Sequence, residues 1–446
     1  MEEKIMFSNK DLKRLILPLF LEQLLVILVG LADTFVISFA GEAAVSGVSL
    51  VNSFNTIFIF LFTALSSGGA VIVSQYIGRK KKDMAGESAS QLLMVSVLFS
   101  LGIMILILLI GYPLMQLLFG KVEKDVMNAC MVYLQISAYS YPALAIYNAG
   151  AALFRSIGKT STTMYIAVAS NLINIIGNII GVFVLNAGVA GVAYPSLVAR
   201  TFSAVVVTVL CFQKTNTVYY KKQWIFHFNT MLLKKILRIA IPNGVEQGIF
   251  QFVKVALSSV VALFGTSQVA ANGIAQSIWS LAALVCVTMG PVFITVIGQC
   301  MGSLDTEQAE FYFRKLLKIT ILISIIWNAV IFALTPLVMQ LYDVTGETKR
   351  LVVILVLIHN IFNCIAFPFA DPLGKGMRAA GDIKFTMFVS LVTTIGARLL
   401  FSLLFAIVMD MGVIGIAYAM CLDWCIRAVI FYIRFRSGKW KQFQLI

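Results

Sequence analysis

Twelve apolar runs, each long enough to cross a lipid bilayer, follow one another along this chain with only short polar interruptions. A hydrocarbon core about 30 Å thick takes roughly 20 residues of helix to span. Inside it every backbone N–H and C=O has to be satisfied within the segment, which leaves the helix as the spanning form for runs of this length. The runs cover approximately 12–39, 51–77, 91–118, 128–154, 163–185, 189–212, 236–263, 269–300, 314–340, 350–376, 385–408 and 412–434. Of the 446 residues 60% are apolar and 12% charged, against roughly 25% charged in a soluble domain. No water-facing surface can be built from that mixture, and the excess runs the whole length. The expected fold class is therefore all-α, a polytopic integral membrane protein whose first partner is the lipid bilayer.

The formal charge of +14 raises nucleic acid as a partner, but its placement excludes it. Basic residues sit between the runs and on alternate sides: Lys4, Lys10, Lys13 and Arg14; Arg79 to Lys82; Arg155 and Lys159; Lys214 to Arg238; Arg314, Lys315 and Lys318; Arg378 and Lys384; and the tail from Arg434. The other loops hold little beyond Lys121, Lys124, Lys349 and Arg350. By the positive-inside rule both termini are expected in the cytoplasm and the chain in the plasma membrane of a bacterial cell. The apolar run after the charged Met1–Arg14 stretch is too long for a signal-peptide core of roughly 7–15 residues, so no cleavage is expected. Seven scattered cysteines without CxxC spacing read as small packing residues.

The chain also repeats itself. Pro18-x-x-x-Glu22-Gln23 recurs 224 residues later as Pro242-x-x-x-Glu246-Gln247, and at the same offset Gly41 meets Gly265, Val45 meets Val269, Gln75 meets Gln299 and Gly78 meets Gly302. Arg155-Ser-Ile-Gly158 through Thr163-Met164 matches Arg378-Ala-Ala-Gly381 through Thr386-Met387, and Gly188-x-x-Gly191-x-Ala193-Tyr194 matches Gly412-x-x-Gly415-x-Ala417-Tyr418, with one residue gained or lost between those blocks. Six helices per copy is an even number, so both copies enter the membrane from the same side. They are expected to be related by a pseudo-twofold axis along the membrane normal, with a substrate site near the midplane. The domains expected are residues 1–212 (first six-helix lobe), 213–235 (cytoplasmic linker rich in Tyr, Trp, Phe and Lys) and 236–446 (second lobe and basic tail).

Charges within spans are costly, and each is a functional candidate. Asp33 follows Glu22 by eleven residues on the first span, which puts both carboxylates on one helix face roughly 17 Å apart. Two readings of Asp33 stand, an ion-coupling carboxylate and a buried structural acid; its repeat counterpart is Leu257, so whatever it does is done in one half. Glu22 and Glu246 are kept in both copies, which suits a scaffold or gating role as well as a transport one. Gln247, Gln251, Lys254 and Ser258 form one polar stripe on the seventh span, lining a cavity or, for Lys254, reaching the interface. Asn171, Asn174 and Asn178 form another on the fifth span, able to serve a cation or a carboxylate or to bond neighbouring helices. Asp371, Arg398, Asp423 and Arg427 are further charges in or near spans that sequence alone does not pair. His359, Asn360 and Asn363 share the tenth span, where a lone histidine reads first as structural. Phosphate loops of the GxxxxGK[ST] type, HExxH zinc motifs and a soluble ATP-binding domain are absent from the sequence, so neither an ATP-driven pump nor an enzyme is expected, and no cofactor.

With these features in place the chain resembles the MATE family, the multidrug and toxic compound extrusion transporters. The carriers are Pro18-Leu-Phe-Leu-Glu22-Gln23 with Asp33-Thr34, Arg155-Ser-Ile-Gly158, Pro242-Asn-Gly-Val-Glu246-Gln247, Arg378-Ala-Ala-Gly381-Asp382 and Gly412-Val-Ile-Gly415. The resemblance implies two six-helix lobes and secondary antiport of small organic compounds, often cationic and amphipathic, in exchange for Na⁺ or H⁺, by a chain acting as a monomer. It implies an ion site of Asp33, Asn174, Asn178 and Ser196, in which Asp33 would carry any Na⁺. One proton-coupled branch has a second aspartate at the position of Asn178; here Asp33 is the only acid of that set. Glu246 and Asp371 resemble acidic positions of the carboxy-terminal lobe in sodium-coupled members, and with Glu22, Gln247, Gln251 and Lys254 they are the cavity and substrate candidates. A lipid-linked glycan flippase of the related superfamily is the alternative, but such proteins usually add two helices and gather arginines in the central cavity.

Overall fold

A computed structural model describes residues 6–120, 122–340, 342 and 344–446. It divides into two compact units, one of Asn9–Gly244 and one of Val245–Ile446 together with the short segment ending at Ser8. The first contains α1 (Asn9–Ser38), α2 (Glu42–Gly78), α3 (Lys82–Phe119), α4 (Lys124–Tyr139), α5 (Tyr141–Ser156), α6 (Thr160–Ile179), α7 (Ala190–Cys211), the short α8 (Lys222–Phe226) and the start of α9 (Thr230–Val261). The second continues with α10 (Thr266–Ala282), α11 (Leu284–Gly302), α12 (Thr306–Gln340), α13 (Gly346–Ile365), α14 (Phe367–Ala370), α15 (Pro372–Ala380), α16 (Ile383–Val392), α17 (Phe401–Leu403) and α18 (Gly412–Arg436). Among the described residues eleven helices are long and apolar enough to cross a membrane, twelve when α4 and α5, bent by 44° at Ser140, count as one span. Among the described residues there are no strands.

Burial is distributed as a lipid-solvated bundle requires. Leu109, Leu117, Phe252 and Val408 are exposed on spanning helices, whereas Ala85, Ala89, Ala149, Ala151, Ala379 and Ala380 are buried between them. With lipid outside there is little hydrophobic drive to bury large side chains, and small residues that let helices approach closely take the interior.

Three of the expected spans are broken helices. Runs 128–154, 269–300 and 350–376 are interrupted at Ser140, at Ala283 and at Ala366 and Asp371. Prolines explain the first and last: Pro142, Pro368 and Pro372 each stand in the first turn of the helix that follows, where the missing N–H is tolerated. No proline marks Ala283. There the freed carbonyls are taken by distant side chains, Leu281 O by Trp327 Nε1 at 2.7 Å and Ala282 O by Asn363 Nδ2 at 2.8 Å. That is how irregular backbone survives at membrane depth.

The duplication is written in the backbone. Left-handed residues pair between the units as Gly41 with Gly265, Lys80 with Leu304, Gly158 with Gly381, Asn186 with Asp410 and Gly188 with Gly412. A π-helical turn at Ile180–Val184 has its counterpart at Leu404–Val408. Against each turn packs a glycine: a Cβ on Gly191 would lie 2.6 Å from the Gly181 carbonyl carbon, and one on Gly415 2.7 Å from that of Phe405. A third π segment, Thr393–Leu400, has no partner, since the corresponding stretch of the first copy is regular α6. A π turn holds an extra residue inside a helix, and this one absorbs the residue gained in the second copy.

The 213–235 stretch packs on the first unit. Buried Gln91 donates to the carbonyls of Trp224 (2.5 Å) and His227 (2.6 Å) and accepts from Asn229 N–H (3.1 Å). Gln91→Ala is expected to free this segment, so that trypsin cleaves after Lys221 and Lys222 about tenfold faster or more, each hydrogen bond holding it closed by about 1 kcal/mol. Unchanged cleavage kinetics on a gel would show that the segment is held by other contacts.

Candidate functional site

In the first unit α1 and α6 pack side by side and meet at two polar points. At one, Thr163 Oγ1 donates to Glu22 Oε2 at 2.8 Å. At the other, eleven residues further on both helices, Asn174 Nδ2 lies 3.0 and 3.1 Å from the Asp33 oxygens, and Asn178 Nδ2 lies 2.6 Å from Asp33 Oδ1. An equal advance along both helices makes them parallel, as the three spans between them, an odd number, require.

Asp33 is the centre of the second point. Ser196 Oγ on α7 donates to Asn174 Oδ1 at 3.1 Å, so one chain of hydrogen bonds runs from α7 through α6 to α1. The four residues implied by the family resemblance are thus adjacent. The set also offers cation ligands: both carboxylate oxygens, and Asn178 Oδ1, which is buried without a hydrogen-bond partner. An amide presents N–H₂ or C=O by rotating about one bond, so the same side chains suit an empty carboxylate or one sharing a cation. Asn171, on the same stripe, makes no hydrogen bond to Asp33, and its buried Nδ2 is unpartnered. Sequence reasoning missed Arg200 on α7, whose guanidinium donates to Ser140 Oγ at 2.7 Å and whose charge acts on Asp33. As a charge within the 189–212 run it met the criterion that singled out Asp33.

Glu22 and Glu246 are each locked in an ion pair of their own unit. Arg155 Nη2 lies 2.8 Å from Glu22, joined by Tyr147 OH at 3.3 Å; Arg378 Nη2 lies 2.5 Å from Glu246. Thr163 on the first carboxylate corresponds to Thr386, which holds Arg378 Nε at 3.2 Å. The repeated Pro-x-x-x-Glu-Gln and Arg-x-x-Gly motifs therefore meet as a salt bridge, once per copy. Asp371 lies between α14 and α15 and pairs with Lys375 at 2.8 Å.

In the second unit the polar groups are arranged differently. Asp423, fully buried on α18, is shared by Arg398 Nη2 and Arg427 Nη2, both at 3.0 Å; Arg427 also binds Thr393 and Thr394 hydroxyls. Leu257, opposite Asp33 in the repeat, is buried in an apolar cluster with Val253, Val261 and Trp424. Gln247 and Gln251 are half-buried and Lys254 exposed on α9. His359 is buried, while Asn360 and Asn363 bond α12 through Asn328. Among the described residues no group of three or more His, Cys, Asp or Glu side chains is placed to hold a metal ion.

Known proteins share this fold. A family model described as MatE matches residues 18–180 and again 242–404, one match per copy. The chain is 25% identical over 95% of its length, and 93% of the other's, to an uncharacterized transporter, YisQ, of Bacillus subtilis. It is 21% identical, over 99% of its length and 95% of the other's, to a probable multidrug resistance protein NorM of Thermotoga maritima. A multidrug resistance MATE family transporter solved in an outward-facing conformation has the same fold, with a TM-score of 0.90 over 96% of this chain and 95% of that one at 21% identity.

Proposed function

Because the chain belongs to the MatE family of multi-pass membrane transporters, we propose that it is a secondary antiporter exporting small organic compounds in exchange for Na⁺ or H⁺ bound at Asp33. The observation that carries this reading is the Asp33–Asn174–Asn178–Ser196 chain, built in one copy of a duplicated scaffold and replaced by Leu257 in the other. An anionic carboxylate inside a bilayer is costly. Binding a cation there removes the charge, and the helices that hold it, α1, α6 and α7, are then free to repack. Because ion binding and helix packing are linked, an ion gradient biases which packing is populated, and a compound that prefers one packing is carried against its own gradient.

The symmetric pairs Arg155–Glu22 and Arg378–Glu246 brace each unit while that exchange occurs. The alternation of basic loops supports both termini in the cytoplasm, and the exported compound would then leave through a bacterial cell membrane. The names of the relatives, multidrug resistance proteins among them, support organic compounds as the cargo.

The test is transport by purified protein in liposomes, with an inward or outward gradient of Na⁺ or of H⁺ imposed and dye movement read by fluorescence. Dye flux that follows one of the two gradients and collapses with its ionophore is the expected result. Flux indifferent to both gradients would show a uniporter or channel instead.

A further inference from the structure

The asymmetry that singles out Asp33 in the first copy singles out a second set in the other. Lys254 corresponds to Gly30, Asp423 to Ala199 and Arg427 to Ser203. Arg398 lies in the unpartnered π segment Thr393–Leu400, where the first copy has Asn174 and Ile175. The two copies thus differ in balance: Asp33, its amides and one arginine, Arg200, in the first, against Leu257 and three added cations around the single acid Asp423 in the second.

The second unit holds an excess of positive groups. Glu246 is taken by Arg378, Asp371 by Lys375 and Asp382 by Arg434. Asp423 alone faces both Arg398 and Arg427, and among the described residues no carboxylate lies within ion-pair distance of Lys254. A guanidinium beyond the one that Asp423 neutralises is costly in a low-dielectric interior. Arg398 Nε is buried and unpartnered, as are both ring nitrogens of His359, which lies in the field of Arg398. The Arg398 guanidinium sits 4.7 Å over the Phe250 ring on α9, and Lys254, one turn further along α9, is exposed. An aromatic ring, a guanidinium whose Nε has no partner and a second cation exposed one turn along α9 form a set complementary to an aromatic or amphipathic anion.

We propose that the second unit binds an organic anion, its carboxylate, sulfonate or phosphate ester held by Arg398 and Lys254 and its apolar part by Phe250. This deepens the antiport reading and rests on it for the word substrate, since it says which compounds the exporter carries. It also separates the tasks: a cation would meet repulsion at Asp423, already taken by two arginines, so ion coupling stays with Asp33.

Equilibrium binding to the purified full-length protein tests the site without any gradient. Carboxyfluorescein is the anionic probe and rhodamine 6G the cationic one, each followed by fluorescence polarisation. Carboxyfluorescein is expected to bind at least about tenfold more tightly than rhodamine 6G, and Lys254→Gln to weaken it about tenfold while leaving rhodamine 6G equal or tighter. Lys254 is exposed, so this variant keeps the fold where Arg398→Gln puts it at risk. No measurable carboxyfluorescein binding, tighter binding of rhodamine 6G, or an equal loss of both dyes in Lys254→Gln overturns the proposal. Lys254-dependent anion binding together with no flux under either gradient would reject the antiport reading and leave the anion site standing. Gradient-driven flux with no preference for the anion would do the reverse.

Discussion

Reconstituted Asp33→Asn protein is expected to lose gradient-driven dye flux by more than about tenfold, the consequence of removing even ~1.4 kcal/mol of coupling, while eluting as wild type does on gel filtration. The substitution is chosen for what it preserves. Asparagine keeps the size of the side chain and an oxygen for the Asn174 and Asn178 N–H groups, 3.0 and 2.6 Å away in the wild type. What it removes is the ability to become charged. If Asp33 were a structural acid tying α1 to α6, the amide would serve almost as well, and flux would survive. If its discharge by a cation is the step that lets α1, α6 and α7 repack, the variant is held in the discharged arrangement and cannot return. Energy-independent exchange of dye across the membrane separates the two further, because a variant stuck in one arrangement fails there too. Retention of wild-type flux under both gradients would end the coupling role.

The spans were legible because bilayer thickness imposes a length on the chemistry: twelve successive runs of some twenty apolar residues have nowhere to be solvated except in lipid. The duplication was legible because motif positions stay in register over long stretches. The pairings were not. Glu22 and Arg155 stand 133 residues apart, and nothing local in either motif announces that they meet; only their joint repetition as Glu246 and Arg378 hints at it. The break at Ala283 was hidden for a similar reason, since the groups that make it tolerable, Trp327 and Asn363, lie far along the chain. The single gained residue was visible in the alignment of the copies. That it becomes a π segment carrying Arg398 is a packing outcome, decided by α16 and α18 together. Asp33 was found by its cost in lipid, and Arg200 was open to the same argument.

Asp423→Asn is expected to be the most destabilising single charge removal in the second unit, by about 3–5 kcal/mol, the cost of breaking a buried ion pair from one side. The order of effects matters more than the size. Asp423 is fully buried, with Arg398 and Arg427 both 3.0 Å away, so its loss leaves two guanidiniums in the interior with no carboxylate between them. Arg427→Met removes one guanidinium and leaves Asp423 matched to Arg398; it forfeits the hydrogen bonds to Thr393 and Thr394 but creates no bare charge. It should therefore cost less than Asp423→Asn, and the double variant Asp423→Asn, Arg427→Met should recover part of the loss. Thermal unfolding in detergent, read as the midpoint of tryptophan fluorescence or of aggregation, ranks the three. Should Arg427→Met prove as damaging as Asp423→Asn, the triad is held together by its hydroxyl contacts rather than by charge, and the positive excess assigned to the second unit loses its energetic basis. Should the expected order hold, an anion entering beside Arg398 supplies the counter-charge that Asp423 has to divide, and carboxyfluorescein should raise the unfolding midpoint of the wild type by mass action but not that of Lys254→Gln.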